Sequence, residues 1–234
     1  MGGLISQSNN GSWSQHYVIN RFCRLFRTFG LFSPAPLTAR LTQMSDSAST
    51  REGLLDLLLP VFRERGYEGA SLAALASASG RGKASLYHHF PGGKSEIVAN
   101  LVRRCVKELD QQVFGPLSGS AAPIQRLEQS IDGFALYTEQ GKHNCLLATL
   151  AGTNPEQLDP AVAERFRHWQ EQLGQTLEEL GLRPKAAAHQ ARNVLSRLYG
   201  ALVLDRLSDQ CTNLRQTQKR LKKELQQFAK QRAK

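Results

Sequence analysis

Residues 71–90 read S-L-A-A-L-A-S-A-S-G-R-G-K-A-S-L-Y-H-H-F, and their apolar spacing predicts two very short helices around a glycine turn. Leu72, Leu75 and Ala76 share a face at helical spacing. Gly80 breaks the pattern, and a second run carries Leu86, Tyr87 and Phe90. A short helix, a tight turn and a second short helix is the layout of a helix-turn-helix that reads DNA. The charge agrees with that layout. No Asp or Glu lies between Glu68 and Glu96, whereas Arg81, Lys83, Lys94, His88 and His89 do, beside the small residues Gly82, Ala84 and Ser85. Phosphate repels acid, and small side chains let a helix sit deep in a groove.

The longer run G-R-G-K-A-S-L-Y-H-H-F-P-G-G-K-S-E-I resembles the DNA-binding signature of TetR/AcrR-type transcriptional regulators. Gly80, Lys83, Leu86, Tyr87, His89, Phe90 and Lys94 carry the resemblance, in order, and it extends over residues 48–109. It implies an all-α protein: an N-terminal three-helix helix-turn-helix domain, then a C-terminal helical domain that binds an effector and dimerises. It also implies a ligand-responsive repressor acting on a near-palindromic operator, in the cytoplasm, without membrane, cofactor or catalytic centre. The expected DNA contacts are Ser71, Arg81, Gly82, Lys83, Ala84, Ser85, Tyr87, His88, His89 and Lys94. Lys83 can pair with phosphate or guanine acceptors, and Tyr87 can lend its hydroxyl while its ring packs. Lys94, with nearby backbone amides, is expected to hold a phosphate at the start of the next helix. Leu86 and Phe90 read as core. The pattern departs from the family at Arg81, where a small aliphatic residue is usual, and at Gly82, where Ser or Thr is usual. Glycine caps a helix nearly as well as either.

Charge is spread unevenly over the 234 residues. The net is +10: +3 over residues 1–49, +3 over 50–109, −3 over 110–212 and +7 over 213–234. Basic segments beside a mildly acidic body suit a polyanionic partner. A non-specific nucleic-acid or membrane-surface binder working through basic tails is the competing reading. Cys23, Cys105, Cys145 and Cys211 are far apart and form no C-x-x-C pair, as expected of free thiols in a reducing compartment.

Residues 1–47 read as a disordered extension in which Trp13 to Phe32 forms a basic amphipathic run. Three origins compete: a transit-like or membrane-surface segment, a basic arm that grips DNA, or sequence ahead of a true start at Met44. Helix is expected over Thr50–Arg65, stopped by Gly66, with a kink at Pro60, because a mid-helix proline removes a hydrogen bond. A further helix is expected from Lys94 to Val113. The C-terminal domain, 110–210, carries helical stripes at Ile124–Phe134, His143–Gly152, Val162–Leu180 and Ala191–Leu204. The last of these is too broad to bury on one side, and the resemblance implies a dimer interface built from two C-terminal helices, expected on 160–181 and 185–208. Phe134, Tyr137, His143, Phe166, Trp169 and Tyr199 are the candidate walls of an effector pocket. Residues 211–234 are expected to be a frayed basic tail, although Leu207, Leu214, Leu221 and Phe228 recur every seven positions.

Enzymatic motifs are wanting. Gly93-Lys94-Ser95 ends like a phosphate loop, but His88 stands where its first glycine belongs, and no strand precedes it. The pattern H-E-x-x-H is absent. His143, Cys145, His168 and His189 form a metal site only if the fold gathers them.

Overall fold

The computed structural model describes residues 50–153, 159–208 and 210–232, and every regular element among them is helical. Helix α1 (Arg51–Gly69) begins where Thr50 accepts a hydrogen bond from Gly53 N–H at 3.1 Å, with Glu52 favourably placed in the first turn. The expected kink at Pro60 is not where the backbone breaks. Helical dihedrals persist through Pro60 and fail at Gly66, where φ is 65° and ψ −170°. Pro60 and Asp56 both lie on the exposed face, so water can take the carbonyl that proline leaves without a partner. Three short elements follow: α2 (Leu72–Ser79), α3 (Lys83–His89) and α4 (Gly93–Leu109). Leu54, Leu58, Phe62, Leu75, Leu86, Phe90, Ile97 and Leu101 fill the core of this first region and are all but inaccessible to solvent.

Helix α4 does not run straight to Val113. After Leu109 the chain widens into a π-helical turn, Asp110–Phe114, then tightens into a 3-10 turn, Gly115–Ser118. The cause lies on the next helix, α5 (Pro123–Tyr137). A Cβ at Gly133 would stand 1.8 Å from the carbonyl oxygen of Gln112, so the two backbones touch with no side chain between them. The widened turn pushes the Gln112 carbonyl outward, and only glycine leaves room for it.

Helices α6 (Leu146–Thr153), α7 (Pro160–Glu179), α8 (Pro184–Ser208) and α9 (Asn213–Arg232) complete the body. Val162, Trp169, Leu173 and Leu177 of α7 are spent inside the protomer. Helix α8 buries Ala187, Ala191, Val194, Leu198, Ala201 and Leu202 yet leaves Val203, Leu204 and Leu207 exposed, Leu207 at 79 %.

The basic tail is the largest correction. Asn213–Arg232 is no frayed extension but a helix laid on α5 and α8. Leu214 and Leu221 are fully buried, Leu225 nearly so, and Phe228 packs half-buried. A few of its polar side chains serve the packing: Gln218 and Lys222 reach Asp132 at 2.6 and 2.9 Å, and Arg197 of α8 grips Glu224 at 2.6 Å. The buried carboxylate of Asp205 fixes the helix start, accepting from the backbone amides of Thr212, Asn213 and Leu214 at 2.7–3.0 Å. An anion at a helix N-terminus satisfies orphan amides and suits the dipole. Gly133→Ala is expected to lower stability by about 1–3 kcal/mol, the cost of forcing apart a close-packed contact. Urea unfolding followed by circular dichroism measures it.

Candidate nucleic-acid interface and effector cavity

The turn between α2 and α3 is built by backbone requirements. Ser71 caps α2 through its Oγ, which accepts from Ala74 N–H at 3.2 Å. The helix ends at Gly80, whose φ of 64° is a left-handed conformation that glycine reaches without a Cβ penalty. Arg81 N–H then turns back to the Ala76 carbonyl at 3.1 Å, closing the helix end. Gly82 caps α3 with no side-chain hydrogen bond.

On α3 the side chains divide cleanly. Leu86, and Phe90 just after it, point into the core. Gly82, Lys83, Ala84, Tyr87 and His88 are exposed, while Arg81, Ser85 and His89 are half-buried. Tyr87 is 47 % exposed, and its ring lies on the backbone of Gly93, where an added Cβ would meet Cε1 at 3.3 Å. The ring thus packs along Gly93 while the side chain as a whole stays about half exposed. The adjacent rings of His88 and His89 meet edge to face at 5.5 Å.

Two expected phosphate contacts are used differently. The ammonium of Lys94 donates to the Tyr67 carbonyl at 3.0 Å and sits 4.2 Å over the Tyr67 ring. It clamps the last turn of α1, past the Gly66 break, to the start of α4 rather than reaching outward. At that same helix start, the Glu96 carboxylate accepts from Gly92 N–H at 2.8 Å and pairs with Arg51. The protein's own acid thus takes one of the amides expected for phosphate. Glu96 could have been suspected as a first-turn acid; its pairing with Arg51, 45 positions earlier, has no local signal.

The six candidate pocket residues separate into three pairs. Phe166 and Tyr199 line an apolar cavity of about 610 Å³ between α6, α7 and α8, with Leu147, Ala148, Ala151, Val162 and Ala163. Its acidic neighbour Asp159 is occupied in capping α7, accepting from Ala161 N–H at 2.8 Å. Phe134 and Trp169 stand behind this wall as core, their ring centroids 5.9 Å apart, and the Trp169 indole donates to Ser130 Oγ at 3.3 Å. Tyr137 and His143 face a different, polar cavity beside α1. Sequence reading missed the small residues Ala148, Ala151 and Ala163. An alanine gives no signal of whether it clears a cavity or packs against a neighbour.

Between the two cavities the Tyr199 hydroxyl approaches Cys145 Sγ at 3.7 Å, and that thiol approaches the Tyr137 hydroxyl at 4.0 Å. Burial raises both phenols well above the usual tyrosine range and pushes the Cys105 thiol up to about 11. These groups stay neutral near pH 7, which suits packing and hydrogen bonding rather than nucleophilic chemistry. Among the described residues no three His, Cys, Asp or Glu side chains come together as a metal site, and no helix is long and apolar enough to cross a membrane.

Comparison with known proteins agrees with the geometry. Residues 54–101 match the model of bacterial regulatory proteins of the tetR family. Residues 123–220 match the C-terminal domain of LmrA/YxaF-like transcriptional regulators. The HTH-type transcriptional regulator LmrA of Bacillus subtilis is 25% identical over 170 residues, spanning 70% of this chain and 90% of LmrA. The fold is shared with a TetR-family regulator from Agrobacterium tumefaciens at 21% identity and a TM-score of 0.59, over 78% of this chain and 97% of that one. It is shared too with AibR, solved in complex with isovaleryl coenzyme A and operator DNA, at 19% identity and a TM-score of 0.51, over 64% and 85%. With a helix-turn-helix whose exposed face is free of acid and a body that matches a regulator's C-terminal domain, the chain belongs to the TetR family of bacterial DNA-binding transcriptional regulators, and not to an enzyme family.

Proposed function

We propose that this regulator is a ligand-responsive repressor that occupies a near-palindromic operator as a homodimer in the cytoplasm. The observation that carries the reading is the division of α3: Leu86 is anchored in the core, while Lys83, Ala84, Tyr87 and His88 stand outward on an acid-free surface. A helix held that way enters the major groove with its small residues leading. Lys83 then takes a base edge or a phosphate, Arg81, Ser85 and His89 flank it, and Ser71 and Tyr87 offer hydroxyls to the backbone.

Two such helices need a twofold partner. The exposed face of α8 supplies a seam at alternating spacings of three and four: Ser196, Gly200, Val203 and Leu207. Small residues at one end allow close approach, and aliphatic ones at the other offer apolar area. A symmetric dimer on this seam presents like half-sites about one helical turn apart, hence the near-palindrome. The 610 Å³ apolar cavity is of drug-like size and suits a largely hydrophobic effector. That AibR was solved with both an acyl ligand and its operator supports pairing the two functions here. Ligand bound between α6, α7 and α8 bears on α4 through α6, which packs against it, and repression is relieved only as far as two arrangements of α4 differ in affinity.

Lys83→Ala is expected to weaken binding to the chain's own upstream DNA by about 1–3 kcal/mol per half-site, measured by fluorescence anisotropy with competitor DNA. Binding unchanged by that substitution would overturn the assignment of α3. Leu207→Glu, which places a charge in the seam, is expected to shift sedimentation from dimer to monomer. Ala151→Trp fills the cavity and should leave operator affinity intact while abolishing release by the inducing compound; a retained response would place the effector elsewhere.

A further inference from the structure

A second cavity, of about 410 Å³, lies between α1, α4 with its π turn, and the end of α5. One of its walls is a buried cation without an acid. Arg63 of α1 is only 7 % exposed, yet among the described residues no carboxylate pairs with its guanidinium. Its contact is the face of the Tyr137 ring, 5.3 Å away, and its buried Nε has no acceptor. A buried charge of this kind is costly, and proteins ordinarily compensate it. The carboxylates on the same walls are committed elsewhere. Asp56 and Glu108 both hold Arg104, at 2.5 and 3.2 Å, and Glu139 holds His143 at 3.4 Å. A second polar atom is also without a partner: the side-chain oxygen of Gln112, buried on the same cavity, accepts from nothing. Leu59, Pro60 and Leu136 supply an apolar side.

We infer that this cavity is a binding site for a small organic carboxylate that also carries a hydrogen-bond donor, a hydroxy or amino acid. The carboxylate supplies the counter-charge Arg63 lacks, the donor answers Gln112, and a short aliphatic body lies on Leu59 and Leu136. An amino group suits the rim as well, because three acids there face only Arg104 and His143. The site is distinct from the apolar cavity between α6 and α8. It joins the DNA-reading region, through Arg63 on α1, to the body, through Gln112 and Tyr137, so occupancy bears on operator affinity.

Butyrate, 3-hydroxybutyrate and 3-aminobutyrate share a skeleton and differ in the donor; 1-butanol lacks the charge. At about 10 mM and matched ionic strength, some tenfold above the ~1 mM dissociation constant of so small a ligand, the three acids should raise the thermal midpoint of the full chain. The donor-bearing pair should bind about five-fold more tightly than butyrate, and 1-butanol should do nothing. Arg63→Met is expected to melt no lower than the parent without ligand, since it removes an uncompensated buried charge, and to lose the response to all three acids. Gln112→Leu keeps the response and erases the preference for a donor. If Arg63→Met does not fold, the arginine Nε–H resonances of the parent replace it, and one of them should shift saturably with 3-hydroxybutyrate. No response of the parent to any of the acids, or an equal response in Arg63→Met, overturns the inference.

Discussion

A helix of seven residues has no stability of its own in water, and most of the side chains proposed to read DNA are mounted on one. What holds α3 is the burial of Leu86 and Phe90 in the core that α1, α2 and α4 enclose. At about 1.5–3 kcal/mol for each fully buried large apolar side chain, those two anchors outweigh any helix propensity the segment has. They also set its orientation, because a helix with two side chains sunk in a core can present only one other face. Which residues face outward is therefore a consequence of where the anchors lie: Ala84 and His88, each two places from Leu86, fall on the opposite side of the helix.

The same economy of anchoring recurs at the joints. Lys94 and the backbone amides at the start of α4 look by position like groups for an incoming phosphate, but Lys94 turns to the Tyr67 carbonyl and Glu96 takes the Gly92 amide. Lys94 binds the last turn of α1, and Glu96 closes its own helix start and holds Arg51. The reading surface is made rigid by charged side chains that do not themselves read. At the other end of α4 the π turn performs a comparable task with backbone alone, seating the Gln112 carbonyl against Gly133. Helix α4 is thus tied to the first region at its start and to α5 at its end, which is what a helix must be if events in the body are to reach the DNA.

The body shows how one aromatic cluster serves two neighbours. Phe134, Trp169 and Tyr199 pack as core, yet Tyr199 also presents to the apolar cavity, and its hydroxyl meets Cys145 beside Tyr137. Tyr137 in turn carries Arg63 on its ring. The two cavities are therefore in contact through packed side chains of the interior. Packed groups of this kind shift together or not at all, because interiors are too dense to deform gradually.

The order of helices, the caps at Thr50 and Ser71, the glycine turn at Gly80 and the inward roles of Leu86 and Phe90 could all be read locally. Each rests on neighbours within four residues, where periodicity and capping chemistry act. The charge pattern around α3 was equally plain, since it needs only the absence of acids. What sequence could not settle was every pairing across long separations. Whether the Lys- and Gln-rich end of the chain frays or folds turned on Asp205 and on the grooves that receive Leu214, Leu221 and Leu225. Whether Pro60 or Gly66 bends α1 turned on which face of the helix meets water. Which aromatics line a cavity and which fill a core turned on the alanines opposite them. Local spacing fixes which side of a helix is apolar; only the folded chain decides what that side meets, because burial is a property of two surfaces and the sequence lists them one at a time.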